Sequence, residues 1–220
     1  MTTFCLEVEG DLACFTRPEM KAERVSYDVI TPSAARAIFE AILWKPAIDW
    51  EVERIEVLKP IRWLTIRRNE VASKVPTTSV RAAMRAGSGS LALYADEDRQ
   101  QRGSLLLRDV GYRLHARLVP GRGERGEPLA KYEEMFRRRA ARGQCVTQPY
   151  LGCREFDCRF RLVNEPANGR AALDETRDLG VMLYDLDYAD PDHPSPIWFR
   201  ARMERGAVAV PGRASPELLR

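Results

Sequence analysis

Lys131, Arg138 and Arg142 stand at i, i+7 and i+11 in the stretch AKYEEMFRRRAARGQC. In a helix this spacing sets all three cations along one side, a row suited to phosphate oxygens. Glu134 lies three residues after Lys131 and four before Arg138. The same line therefore also reads as an exposed helix laced with weak ion pairs, and spacing leaves both readings open. A second concentration of cations runs from Ile61 to Arg85, where Arg62, Arg67, Arg68, Lys74, Arg81 and Arg85 face Glu70 alone. The arginine fork grips phosphate and stacks on bases. A local excess of this size, in a chain of net charge +3, concentrates positive field on one side. An arginine-rich codon usage would raise the Arg count as well.

Other chemistries are poorly supplied. Cys5, Cys14, Cys145, Cys153 and Cys158 are odd in number and contain no C-x-x-C pair, and His115 and His193 are far apart. Neither a disulfide framework nor a metal centre is expected, and no cofactor. No apolar run approaches the roughly 18 residues of a membrane span, so no membrane partner is expected. The opening MTTFCLEVEG reads as a strand rather than a signal peptide, which predicts a cytoplasmic protein.

The elements that must position these residues follow from periodicity. FCLEVE alternates Phe4, Leu6 and Val8 against polar residues, a half-buried strand. TPSAARAIFEAILW opens with Thr31 as N-cap and Pro32 at the first helical position, with Ala35, Ile38, Phe39 and Ile42 as the apolar stripe. VERIEVLK is a second strand, and 62–102 reads as a long basic insertion without clear periodicity. VGYRLHARL follows as a strand that turns Arg113, His115 and Arg117 away from the core. Those three line either an open, ligand-binding sheet face or an ordinary solvated one. After a Gly-rich turn at 120–128 comes a helix burying Leu129, Tyr132, Phe136 and Ala140, then the strand REFDCRFRL. The order β-α-β-insert-β-α-β predicts an α+β fold of RRM or ferredoxin-like type over 1–163. Both helices then cover one sheet face, and the other is the face such sheets offer to single-stranded RNA. GVMLYDLDY, PIWFRARM and AVAVP predict a small C-terminal antiparallel β-sheet over 164–220.

Five blocks, RPEMKAERVSYDVITPSAARAIFEAILWKPAI, VLKPIRWLTIRRNEV, DRQQRGSLLLRDVGY, RGQCVTQPYLGCREF and RDLGVMLYDLDY, carry a family resemblance in order from about Asp11 to Trp198. Together they resemble the subtype I-C branch of CRISPR-associated Cas family 5. The resemblance implies a RAMP protein, an RRM-like domain with a basic insertion. It would bind the 5′ handle of CRISPR RNA in the Cascade antiviral surveillance complex, beside the backbone and large subunits. It also implies a metal-independent endoribonuclease that cuts the repeat in precursor CRISPR RNA, a ribose 2′-hydroxyl attacking the adjacent phosphate. That chemistry needs a base, an acid and a cation for the phosphorane charge.

Relatives place a Tyr or His just before the WKP motif and a Lys-His pair early in the second helix. The resemblance makes Lys131 the matching phosphate stabiliser. Leu43 and Tyr132 stand at the other two positions. Leucine moves no proton, and a phenol, titrating ordinarily near about 10, is a hydrogen-bonding or acid group rather than a base. Lys131 and Tyr132 are the expected catalytic residues. Lys21, Arg24, Tyr27, Arg67, Arg68, Asn69 and Lys74 fall in or beside the shared blocks and, with Arg138 and Arg142, are the expected RNA contacts. The departures at Leu43 and Tyr132 keep a second expectation alive, a structural RNA-binding subunit that does not cut. A protein-only docking module is a third.

Overall fold

The alternating start of the chain is a strand, β1 (Thr3–Ala13), with Phe4, Leu6 and Val8 buried. The computed structural model describes residues 2–94, 96–121, 128–164 and 170–220, so most of the expected Gly-rich turn lies outside the described residues. Helix α1 (Pro32–Ile42) starts where the sequence predicts. The Thr31 hydroxyl accepts from the Ala34 N–H at 3.3 Å, and Pro32 sits where no N–H is needed. Its stripe of Ala35, Ile38, Phe39 and Ile42 is buried as expected, and β2 (Ile48–Val57) follows.

The basic insertion is not irregular. It forms a strand, β3 (Trp63–Val71), a helix, α2 (Thr77–Ala86), and the first part of a 22-residue strand, β4 (Arg99–Pro120). β3 and β4 pair antiparallel from Trp63↔Leu107 to Val71↔Arg99. The strand escapes a period-2 reading because two of its half-buried positions are Arg68 and Glu70 rather than apolar residues. α2 buries none of its residues and ends on Gly87 at φ 65, a conformation glycine adopts without strain.

The second half of β4 pairs with both β1 and β2, and α3 (Leu129–Ala141) and β5 (Arg159–Leu162) complete the first half of the molecule. β5 is shorter than the predicted REFDCRFRL strand. Phe156 and Cys158 are buried but precede it, while Phe160 and Leu162 are only half-buried. The strand order is β5-β1-β4-β2, with α1 and α3 meeting over one face. Between them Phe136 stands 4.5 Å from Trp50, 4.8 Å from Phe4 and 5.7 Å from Phe39, centroid to centroid. The C-terminal strands β6 (Arg177–Asp187), β7 (Ser195–Glu204) and β8 (Ala207–Ala209) pair antiparallel in that order. They do not stand alone: β8 pairs with β2, so the described strands make one mostly antiparallel sheet in a mixed α/β protein with three α-helices.

The face expected to be open is closed at Arg113. Its guanidinium is buried, donating to Glu7 at 2.7 Å, to Glu56 at 2.8 Å and to the Arg170 carbonyl at 2.6 Å. It is a structural ion pair and offers nothing to RNA. Burial raises the Glu7 pKa, but the bonds from Arg113 and Arg161 outweigh it and hold the carboxyl below the ordinary glutamate range. A carboxylate lowered on folding adds stability above its unfolded value and loses it as pH falls through the folded one. The stability gap between the wild type and Glu7→Gln, read from urea midpoints, should therefore be widest near neutrality and close below the ordinary glutamate range. A gap independent of pH would show that Glu7 contributes through packing alone.

Candidate functional site

Tyr132, Phe136 and Ala140 form the buried stripe of α3, and Lys131, Arg138 and Arg142 are exposed. The helix is thus amphipathic as its spacing predicts, with the cation line toward solvent. Among the described residues neither Arg138 nor Arg142 forms an ion pair. Tyr132 is 9% exposed, so most of its ring packs with the core while Lys131 beside it faces outward.

The C-terminal end of α1 is docked onto α3. The last carbonyls of a helix lack intrahelical donors, and here Arg139 donates to the Ile42 carbonyl at 3.0 Å. The Val146 and Thr147 N–H groups donate to that of Ala41 at 2.7 and 3.3 Å. The Trp50 indole donates to the Leu43 carbonyl at 2.9 Å. Leu43 is fully buried, so its side chain belongs to the core, and the chain reaches solvent at the next residue, Trp44.

The second basic cluster divides. On β3, Arg67 and Asn69 are exposed and Arg68 is turned to the other side. RRN is therefore not one contact surface. Arg68 donates to Glu155 at 2.6 Å, and Arg24 reaches the same oxygen at 3.0 Å and Glu70 at 3.1 Å. Arg102 lies 3.7 Å from Glu70. Three guanidiniums thus share two carboxylates, a cluster that retains one positive charge. Glu155 is carried there by a close approach: Gly152, at φ +85, packs so near Cys14 that a Cβ would lie 2.0 Å from the Cys14 carbonyl oxygen. Burial works against the Glu155 charge, and hydrogen bonds from its own backbone and from Arg68 hold its pKa below the usual range.

Lys21 and Lys74 are exposed, each outside this cluster. Tyr27 is a correction. It is fully buried, its hydroxyl accepts from the Leu183 N–H at 3.3 Å, and Arg17 covers its ring at 4.4 Å. A ring so enclosed packs the core and has no face for a base. Glu155, Glu70 and Arg102 were not candidates from sequence, because their role depends on partners distant in the chain.

A family model described as CRISPR-associated protein (Cas_Cas5) matches residues 3–211. The chain belongs to that family. It is 45% identical over 221 residues to the CRISPR pre-crRNA endoribonuclease Cas5d of Mannheimia succiniciproducens, covering 98% of this chain and 97% of that one. It is 39% identical over 238 residues to the protein of the same name from Thermus thermophilus, covering 100% and 96%. The solved crystal structure of a CRISPR-associated protein superposes with a TM-score of 0.71, covering 100% of this chain and 97% of that one. At 21% identity that likeness is one of fold.

In this Cas_Cas5 chain the position before the WKP motif is thus a core leucine, and Lys131 faces outward on the first turn of α3.

Proposed function

We propose that this chain is a precursor CRISPR RNA endoribonuclease that also binds the 5′ handle of CRISPR RNA as a subunit of the type I-C Cascade complex. The observation that carries the reading is identity of 45% and 39%, across nearly all of the chain, to two proteins named as pre-crRNA endoribonucleases. The strand order β5-β1-β4-β2, with α1 and α3 on one face, supports an RRM-like RAMP core over 1–163, extended by the 164–220 unit.

In this reading the reaction is metal-independent, the attack of a ribose 2′-hydroxyl on the neighbouring phosphate. Lys131 stabilises the charge that develops on the phosphorane. Tyr132 is the hydrogen-bonding or acid group toward the leaving 5′-oxygen. Arg138 and Arg142 extend the cation line along α3. Arg24 and Arg68 contact RNA at the second basic cluster, where incoming phosphates compete with Glu70 and Glu155 for them, and Arg67, Asn69, Lys21 and Lys74 contact it from exposed positions outside that cluster. The Cascade backbone and large subunits are the protein partners.

The test is incubation of the purified protein with its own repeat RNA in EDTA. Cleavage at one position is the expected result. Binding without cleavage at protein excess would make the chain a structural subunit. Repeat affinity should also fall by about 10³-fold or more between ~50 and ~200 mM salt if six or more phosphates are neutralised. A flat salt dependence would remove both basic surfaces from the interface.

A further inference from the structure

Trp44 and Tyr188 stand in solvent, 57% and 56% exposed, and both line one surface cavity of about 370 Å³. Arg36, Lys45 and Arg213 with Asp49 and Asp185 supply its polar wall, three cations against two carboxylates. Asp185 is already committed: it accepts two bonds from Arg36 and lies 3.7 Å from Arg213. Asp49 has only a 3.8 Å ion pair with Arg213, and Lys45 forms no ion pair among the described residues. An exposed aromatic pair, an uncommitted ammonium and a carboxylate with acceptor capacity thus meet around a space of small-ligand size. Two rings held in water beside a net positive wall suit an unstacked base and its phosphate. An apolar protein segment would leave the Lys45 charge without a partner.

We propose that this cavity holds one extruded nucleobase of single-stranded RNA, stacked on Trp44 and Tyr188 with an adjoining phosphate at Lys45. The Asp49 carboxylate accepts from the edge of that base. Guanine is the base that presents two adjacent N–H donors, N1–H and N2–H, to a carboxylate, so the site selects guanine. The proposal rests on the RNA-binding reading above. It adds a base-reading site distinct from Lys131, reached at the first exposed residue after the buried Leu43.

The experiment measures repeat-RNA affinity for the wild type, Trp44→Ala, Trp44→Phe, Tyr188→Ala and Asp49→Asn, using repeats with a single abasic site at each unpaired position. Trp44→Ala and Tyr188→Ala should each weaken binding by about tenfold, and Trp44→Phe by less than about threefold. One abasic position, a guanosine in the intact repeat, should reproduce the Trp44→Ala loss and add nothing to it. Asp49→Asn should abolish the preference for guanosine over inosine there. Wild-type binding that Trp44→Ala leaves unchanged, or abasic penalties that all add to that of Trp44→Ala, would overturn the proposal. A coupled position that is not guanosine would overturn the assignment of the base. If the wild type binds no repeat RNA at all, the RNA-binding reading falls with it.

Discussion

Replacing Lys131 by alanine should slow repeat-RNA cleavage by about 10²- to 10³-fold while changing repeat affinity by less than about threefold. The expected split follows from where the charge acts. An ammonium that meets the phosphate mainly as the phosphorane forms contributes to the transition state and little to the ground state. Lys131 is placed for this on an exposed position of α3, two residues into the helix, on the side opposite the packed Phe136. Lys131→Arg should recover part of the rate, because the charge remains while its shape changes. Tyr132→Phe keeps the packing of the ring and removes only the hydroxyl, so a drop of about 10²-fold identifies the acid. An unchanged rate for Lys131→Ala at saturating protein would end the proposed role of that residue, whatever Tyr132 does. Equal losses of rate and affinity would instead class Lys131 as an ordinary phosphate contact.

Phe136→Ala should lower the stability of the folded chain by about 3–5 kcal/mol, seen as a fall in the urea midpoint with an unchanged slope. Phe136 is fully buried, with the rings of Phe4, Phe39 and Trp50 within 6 Å of its own. Those rings come from β1, α1 and β2, so removing Phe136 opens a cavity where three elements meet α3. A loss of this size is a large share of the roughly 5–15 kcal/mol that holds a typical domain. The same helix carries Lys131, Arg138 and Arg142, so cleavage should fail on warming at lower temperature than in the wild type. A loss under about 1 kcal/mol would show that α3 is held chiefly by the hydrogen bonds to the end of α1, from Arg139 on the helix and from the 146–147 backbone that follows it.

Local spacing predicted the elements whose buried faces are apolar. Thr31, Pro32 and the Ala35–Ile38–Phe39–Ile42 stripe specify α1, and Tyr132, Phe136 and Ala140 specify the packed side of α3. The insertion was not legible, because β3 turns Arg68 and Glu70 to the side where an apolar residue would announce a strand. α2 carried a weaker signal, good helix formers stopped by Gly87, without a buried stripe to reveal it. Arg113 was misread for the complementary reason: an arginine at an outward strand position looks solvated until Glu7 and Glu56 are known to flank it.

Composition and block order within the chain determined its class, its basic surfaces and the family it resembles. They also marked Lys131 and the two departures, Leu43 and Tyr132. The tertiary structure alone decided which of those residues meet. Arg24 and Glu155 are 131 positions apart and share a hydrogen bond. Tyr27 looks as available as any loop aromatic until β6 lies over it, and Trp44 meets Tyr188 across one cavity. Periodicity reports which way a side chain points from its own element. What waits there is set by chain closure between distant segments, so partners, burial and the aromatic cavity became visible only in the folded molecule.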